Sequence, residues 1–176
     1  MRIASRHMPK YLRRKTGFML WVCLAGLVAG FFYIVVTAPI GAAVFVLLFC
    51  GVVLSTRREI KRNAERLRCL AAEREGESIC DFARDFDTRQ VDTWIVRAVY
   101  EQLQYHLADV SPAFPVRASD RLKEDLLLDD DDLDMDIAQE VEQRAGRSLD
   151  DTSTNPYFGK VKTVRDLVMF FQSQPK

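Results

Sequence analysis

Charge is missing from the chain for 41 consecutive positions, Thr16 to Thr56, in a protein of 176 residues. Histidine is almost missing as well, with His7 and His106 alone. The four cysteines, Cys23, Cys50, Cys69 and Cys80, contain no C-x-x-C pair. A Cys/His zinc set therefore has too few members at the wrong spacing, and a disulfide framework is not indicated. The thiols fit a reducing compartment for the soluble part. No glycine-rich phosphate loop and no nucleophile–base pair is visible, so catalytic residues, a metal set and a cofactor are all expected to be absent, and the chain is read as a non-enzyme.

The uncharged run is about twice the ~20 residues that one helical membrane span needs. Thr37-Ala38-Pro39-Ile40-Gly41 interrupts it with turn punctuation. The expectation is a transmembrane helical hairpin, residues 17–37 and 40–55, with both termini cytoplasmic. Arg2, Arg6, Lys10, Arg13, Arg14 and Lys15 precede the run, and Arg57, Arg58, Lys61, Arg62, Arg66 and Arg68 follow it. Gly26 and Gly30 form a G-x-x-x-G that would let helices pack closely in lipid, either within the hairpin or between copies. No Asp, Glu, Lys, Arg or His lies inside the spans, so no ion or proton relay is indicated.

The net charge of zero conceals a split. Residues 1–76 hold 13 Lys+Arg against 4 acidic residues, and residues 77–176 hold 12 against 21. Three regions follow: a hairpin anchor with a basic tail (1–56), a charged helical connector (57–87) and a cytoplasmic helical domain (88–176). In the connector, Ile60, Ala64, Leu67 and Ala71 form a thin stripe that reads as a solvated helical extension, unbroken until Gly76. Ser78-Ile79-Cys80-Asp81 has the form of a capping box opening a short helix, with Phe82 and Phe86 in need of a surface to cover.

In the acidic half, Asp87 and Gln90 predict a helix start, followed by a stripe of Val91, Ile95, Ala98, Val99, Leu103 and His106 reaching Leu107. His106 reads as a packed or half-exposed histidine, since no second ligand accompanies it. Pro112 and Pro115 break the chain into a loop whose Phe114, Val116 and Leu122 are expected to return to the core. Leu133, Ile137 and Val141 then mark a second helix, capped by Asp129 or Asp130 and ended by Gly146. Thr163 caps a last helix with Val164, Leu167, Val168 and Phe171 inward.

Three segments together resemble acyl carrier proteins. Val96-Arg97-Ala98-Val99-Tyr100-Glu101-Gln102-Leu103 is similar to their first helix, Glu124-Asp125-Leu126-Leu127-Leu128-Asp129 to the lead-in of their second, and Thr163-Val164-Arg165-Asp166-Leu167-Val168 to their last. The acidic run and the Tyr157-Phe158 pair resemble most a bacterial acyl-carrier-like family of unassigned activity (domain of unknown function 1493). The resemblance spans residues 88–172 and implies a four-helix carrier-like bundle; the two-helix hairpin departs from the family's simplest soluble members, and together they make the expected architecture an all-α, multi-pass protein of a bacterial inner membrane with the bundle cytoplasmic. Carrier proteins bear phosphopantetheine on a serine before the second helix. Here that position falls among Asp130 to Asp132, and a carboxylate cannot take the arm.

The acidic run fails as a calcium loop. Starting at Asp130 puts Met135 where glycine is needed, and starting at Asp129 puts Leu133 at a ligand position. Two readings stay open: a solvated, dipole-favoured helix start, or an acidic docking face of Asp130, Asp132, Asp134, Asp136 and Glu140 for a basic protein. The expected partners are thus the lipid bilayer and a basic protein, with no nucleic acid and with a homo-oligomer through Gly26 and Gly30 left open. The alternatives are acyl or peptidyl carriage on a serine elsewhere, such as Ser119, Ser148 or Ser153, or a membrane element that oligomerises through its hairpin.

Overall fold

The computed structural model describes Gly26, Gly30, Thr37, residues 39–129 and residues 132–176. It divides into two compact units, one within Leu12–Asn63 and one built on Ala64–Lys176. The described residues are mostly helical and contain no strand; an isolated antiparallel bridge joins Arg121 to Thr163. The protein is all-α.

Helix α1 runs from Pro39 to Glu73. Pro39, Ile40 and Gly41 thus belong to the helix and not to the expected turn. Among the described residues no helix is long and apolar enough to cross a membrane. This overturns the multi-pass inner-membrane placement with both termini cytoplasmic, and with it the transmembrane hairpin. The reason lies in the length of the apolar part. From Pro39 to Leu54 there are 16 residues, which span ~24 Å of helix against a hydrocarbon core of ~30 Å. Ser55 and Thr56 follow, folding their hydroxyls back onto the Gly51 and Val52 carbonyls at 2.9 and 3.0 Å, and Arg57 and Arg58 come next. The other proposed span, residues 17–37, lies outside the described residues except at Gly26, Gly30 and Thr37. Both glycines are helical and exposed, and among the described residues nothing stands within 4 Å of where a Cβ would sit. The residues that would pack against Gly26 and Gly30 lie outside the described residues.

The end of α1 belongs to the second unit, upstream of the expected boundary at residue 88. Leu67 is buried, and Leu70 and Ala71 pack against the core, while Ile60 stays 61% exposed. The connector stripe is thus solvated at its start and docked at its end. Arg74, just past the helix, is buried and grips buried Asp120 with two hydrogen bonds of 2.7 and 2.8 Å. Gly76 (φ +92°) then turns the chain, a backbone geometry that glycine adopts without a Cβ clash.

Helix α2 (Ile79–Arg84) opens with the expected capping box between Ser78 and Asp81. Its Phe82 and Phe86 are buried and meet edge-on at 5.2 Å, and Phe82 also meets the Tyr100 ring at 5.1 Å. Helix α3 (Thr93–His106) starts later than the Asp87 signature predicts. Asp87 closes a separate turn, accepting from Gln90 and Val91 N–H at 2.9 Å, and Asp92 caps the helix through Trp94 N–H at 3.0 Å. Two aspartates five positions apart both offer caps, and Val91 is buried as the second one requires.

The stretch from Leu107 to Asp129 has no regular helix but buries Phe114, Val116, Ala118, Leu122, Leu126 and Leu128. It is laced to the last helix, α5 (Val164–Ser173). Leu122 N–H donates to the Lys162 carbonyl at 2.9 Å, Val164 N–H to Asp120 at 3.0 Å and Arg165 N–H to Ala118 at 2.9 Å. A π-helical segment, Asp132–Ile137, leads into α4 (Ala138–Ala145), which Gly146 ends in the left-handed conformation (φ +63°). Helix α3 is central and packs on α2, the π segment, α4 and α5. Its Ile95, Val99 and Leu103 meet the same core as Ile137, Val141, Val168 and Phe171, all of them fully enclosed. Each such side chain stabilises the fold by about 1.5–3 kcal/mol relative to exposure.

Candidate acidic site at the second helix start

The acidic segment begins with a reciprocal cap. Asp132 N–H donates to Asp129 Oδ1 at 2.8 Å, and Asp129 N–H donates to Asp132 Oδ2 at 3.1 Å. Leu133 N–H adds a bond to the Asp129 carbonyl at 3.2 Å. Asp129 is therefore the cap, and the carboxylate at position 132 does what a glutamate does in a capping box. A strict repeat of four, Leu133–Ile137–Val141, lies between the α turn of 3.6 residues and the wider π turn. Ile137 and Val141 are buried and Leu133 is half-buried.

The proposed docking residues do not share one environment. Asp132 is half-buried and Asp136 is exposed, both on the outward part of the π segment. Asp134 lies in the same segment, and Asp130 falls outside the described residues. Glu140, one helical turn after Asp136, is buried at 7% exposure, unlike exposed Asp136. It shares the buried side of α4 with Val141 and Arg144.

What the sequence did not offer is a neighbour for the run. His106, at the last position of α3, brings Nε2 to 3.7 Å from Asp132 Oδ1. One donor atom from each of His106, Asp132 and Asp136 can be chosen so that all lie within 4.8 Å of one another. These positions are 26 and 30 apart in the chain, and only the packing of α3 on the π segment unites them.

Several arginines of this unit are committed to other carboxylates. Arg74 holds Asp120, Arg117 holds Glu77, Arg144 holds Glu101 across α4 and α3, and Arg147 faces Asp92 at 3.7 Å. The Arg117 guanidinium beside Glu77 keeps that carboxyl below its ordinary value, and Glu77 in turn raises Arg117. A small polar cavity of about 210 Å³ near Arg147 and Lys176 already contains the Asp92 carboxylate, which answers its positive charge.

A larger groove of about 970 Å³ opens beside the acidic start. Leu133, Ala138, Phe158, Val161, Leu167 and Phe170 line it, with both basic (Arg121, Lys123, Lys162) and acidic (Glu124, Asp166) side chains among them. Tyr157 and Phe158, singled out in the sequence, sit in the loop over α5, and Phe158 is 56% exposed.

The serines stand apart from the acidic start. Ser148 Oγ donates to Asp150 and Ser153 Oγ to Asp151, each at 2.8 Å, and Ser119 lies exposed in the loop before the Arg121 bridge. Comparison of the chain with family models, curated proteins and solved structures returned no match.

Proposed function

We propose that the chain is a non-enzymatic, acyl-carrier-like helical module that offers its acidic helix start, around Asp132 and Asp136, to a basic protein partner. The order of helices supports this reading: α3, a long loop, the π segment with α4, a second loop, then α5. The observation that carries it is the reciprocally capped pair of carboxylates, Asp129 and Asp132, at the surface start of the second helix. Like charges this dense repel one another, and a cationic surface relieves that repulsion. The groove next to it supplies an apolar anchor point for the same partner.

Attraction of this kind weakens as salt shortens the screening length from ~10 Å at 0.1 M to ~3 Å at 1 M. Affinity capture at low and high salt, with the Asp132→Asn/Asp136→Asn variant alongside, tests it. A partner retained at low salt and lost both on adding salt and in the variant supports the reading. Capture indifferent to both changes rejects it.

The groove favours one second reading, carriage of an acyl or peptidyl group on a serine outside the acidic start. Incubation with a phosphopantetheinyl transferase followed by intact-mass measurement separates the two. An added arm would replace the docking reading with the carrier one.

A further inference from the structure

We infer that His106, Asp132 and Asp136 form a binding site for a divalent transition-metal ion. The donor set is mixed: one imidazole nitrogen from the end of α3 and two carboxylates from the π segment. Asp132 and Asp136 are four residues apart, a spacing that puts both on one face of a helical turn. His106 closes the triangle from a different element, which local acidity alone would not do.

The distances suit an ion better than a hydrogen bond. His106 Nε2 and Asp132 Oδ1 are 3.7 Å apart, too far for a good N–H···O contact. Ligands at ~2.0–2.2 Å from a zinc-sized ion stand ~3.0–3.5 Å from one another. The set lies within 4.8 Å, and small side-chain rotations of Asp136, which is exposed, and of the half-exposed His106 and Asp132 close the difference. Asp132 is partly preorganised, because Asp129 N–H holds its other oxygen at 3.1 Å. Such outer contacts fix the direction of a ligating carboxylate.

The donor types select the ion. An oxygen-only calcium site needs six or more oxygens, and the run already fails the calcium-loop pattern. One imidazole and two carboxylates suit zinc, manganese or cobalt, with the remaining positions open to water. The surrounding sequence, with aspartates at 129, 130, 131 and 134 as well, raises the local concentration of cations.

Titration of the full chain with Zn²⁺, followed by calorimetry and by the imidazole resonances of its two histidines, tests the inference. The expected result is one saturable equivalent that shifts the His106 resonances and leaves those of His7 in place. His106→Gln and Asp136→Asn should each weaken binding at least ~10-fold, as loss of even an outer contact does, with helical circular dichroism unchanged. The His106 resonances provide a readout in the unmodified protein should a variant fold poorly. Binding of equal strength in His106→Gln would show diffuse attraction to carboxylates and would overturn the site. So would an absence of saturation at millimolar Zn²⁺, or Ca²⁺ displacing Zn²⁺ at equal concentration.

Discussion

Asp120 and Asp132 lie in the same irregular-to-helical stretch, twelve positions apart, and have opposite fates. Asp120 is 2% exposed, clasped by the Arg74 guanidinium and by the Arg117 N–H at 2.8 Å. Asp132 sits at the surface beside other aspartates, its contacts a backbone N–H and a distant imidazole. The first carboxylate is part of the architecture, while the second adds local repulsion that the fold does not need beyond one cap. Acidic residues in one sequence window can thus serve stability or be available to a ligand, and burial with a guanidinium decides which.

That contrast can be broken first at Asp120. Asp120→Ala leaves Arg74 buried without its counter-ion and should destabilise the protein by about 3–5 kcal/mol in denaturant unfolding. Replacing both partners by apolar residues, Arg74→Met with Asp120→Leu, should recover most of that loss. A second cut falls between the two extremes. Asp129→Ala removes the side-chain half of the reciprocal cap and should cost about 1 kcal/mol. At Asp136 the effect should be smaller still: Asp136→Asn is expected to stay within about 0.5 kcal/mol of wild type, because no core contact is lost. A large loss there would mean that the outward carboxylate is architectural after all.

The smallest effect is a pH dependence at the surface pair of Glu77 and Arg117. The folded-state value of Glu77 is lowered from its ordinary 4.5, first by the side-chain hydrogen bond from Arg117. Its stabilisation is therefore full above that ordinary value and fades as pH falls through the lowered one. A carboxyl titration followed by nuclear magnetic resonance should give a midpoint below 4.5, and Arg117→Gln should move it upward.

Much of the second unit was legible because its signals are local. The boxes Ser78/Asp81 and Thr163/Asp166, the end at Gly146 and the inward Val164, Leu167, Val168 and Phe171 depend on neighbours within one or two turns. The return of Phe114, Val116 and Leu122 was legible because apolar side chains flanked by proline have few other places to go. Where two local signals competed, the nearer one to the buried stripe won, and α3 begins at Asp92 in place of Asp87. The candidate site was half legible. Its acidity is written in one run, but the meeting of His106 with Asp132 and the burial of Glu140 depend on how the helices pack. The membrane reading failed for a different reason: a charge-free count of 41 residues says nothing about how helices divide it, and the described apolar part of α1, Pro39 to Leu54, holds 16 residues before its polar end.

Three backbone hydrogen bonds fasten residues 118–122 to residues 162–165. A ribosome releases residues 162–165 only after residues 118–122, so the loop that leads into the acidic segment stays unclamped until they emerge. The path of that loop is thus set by the docking of a segment made some forty residues later.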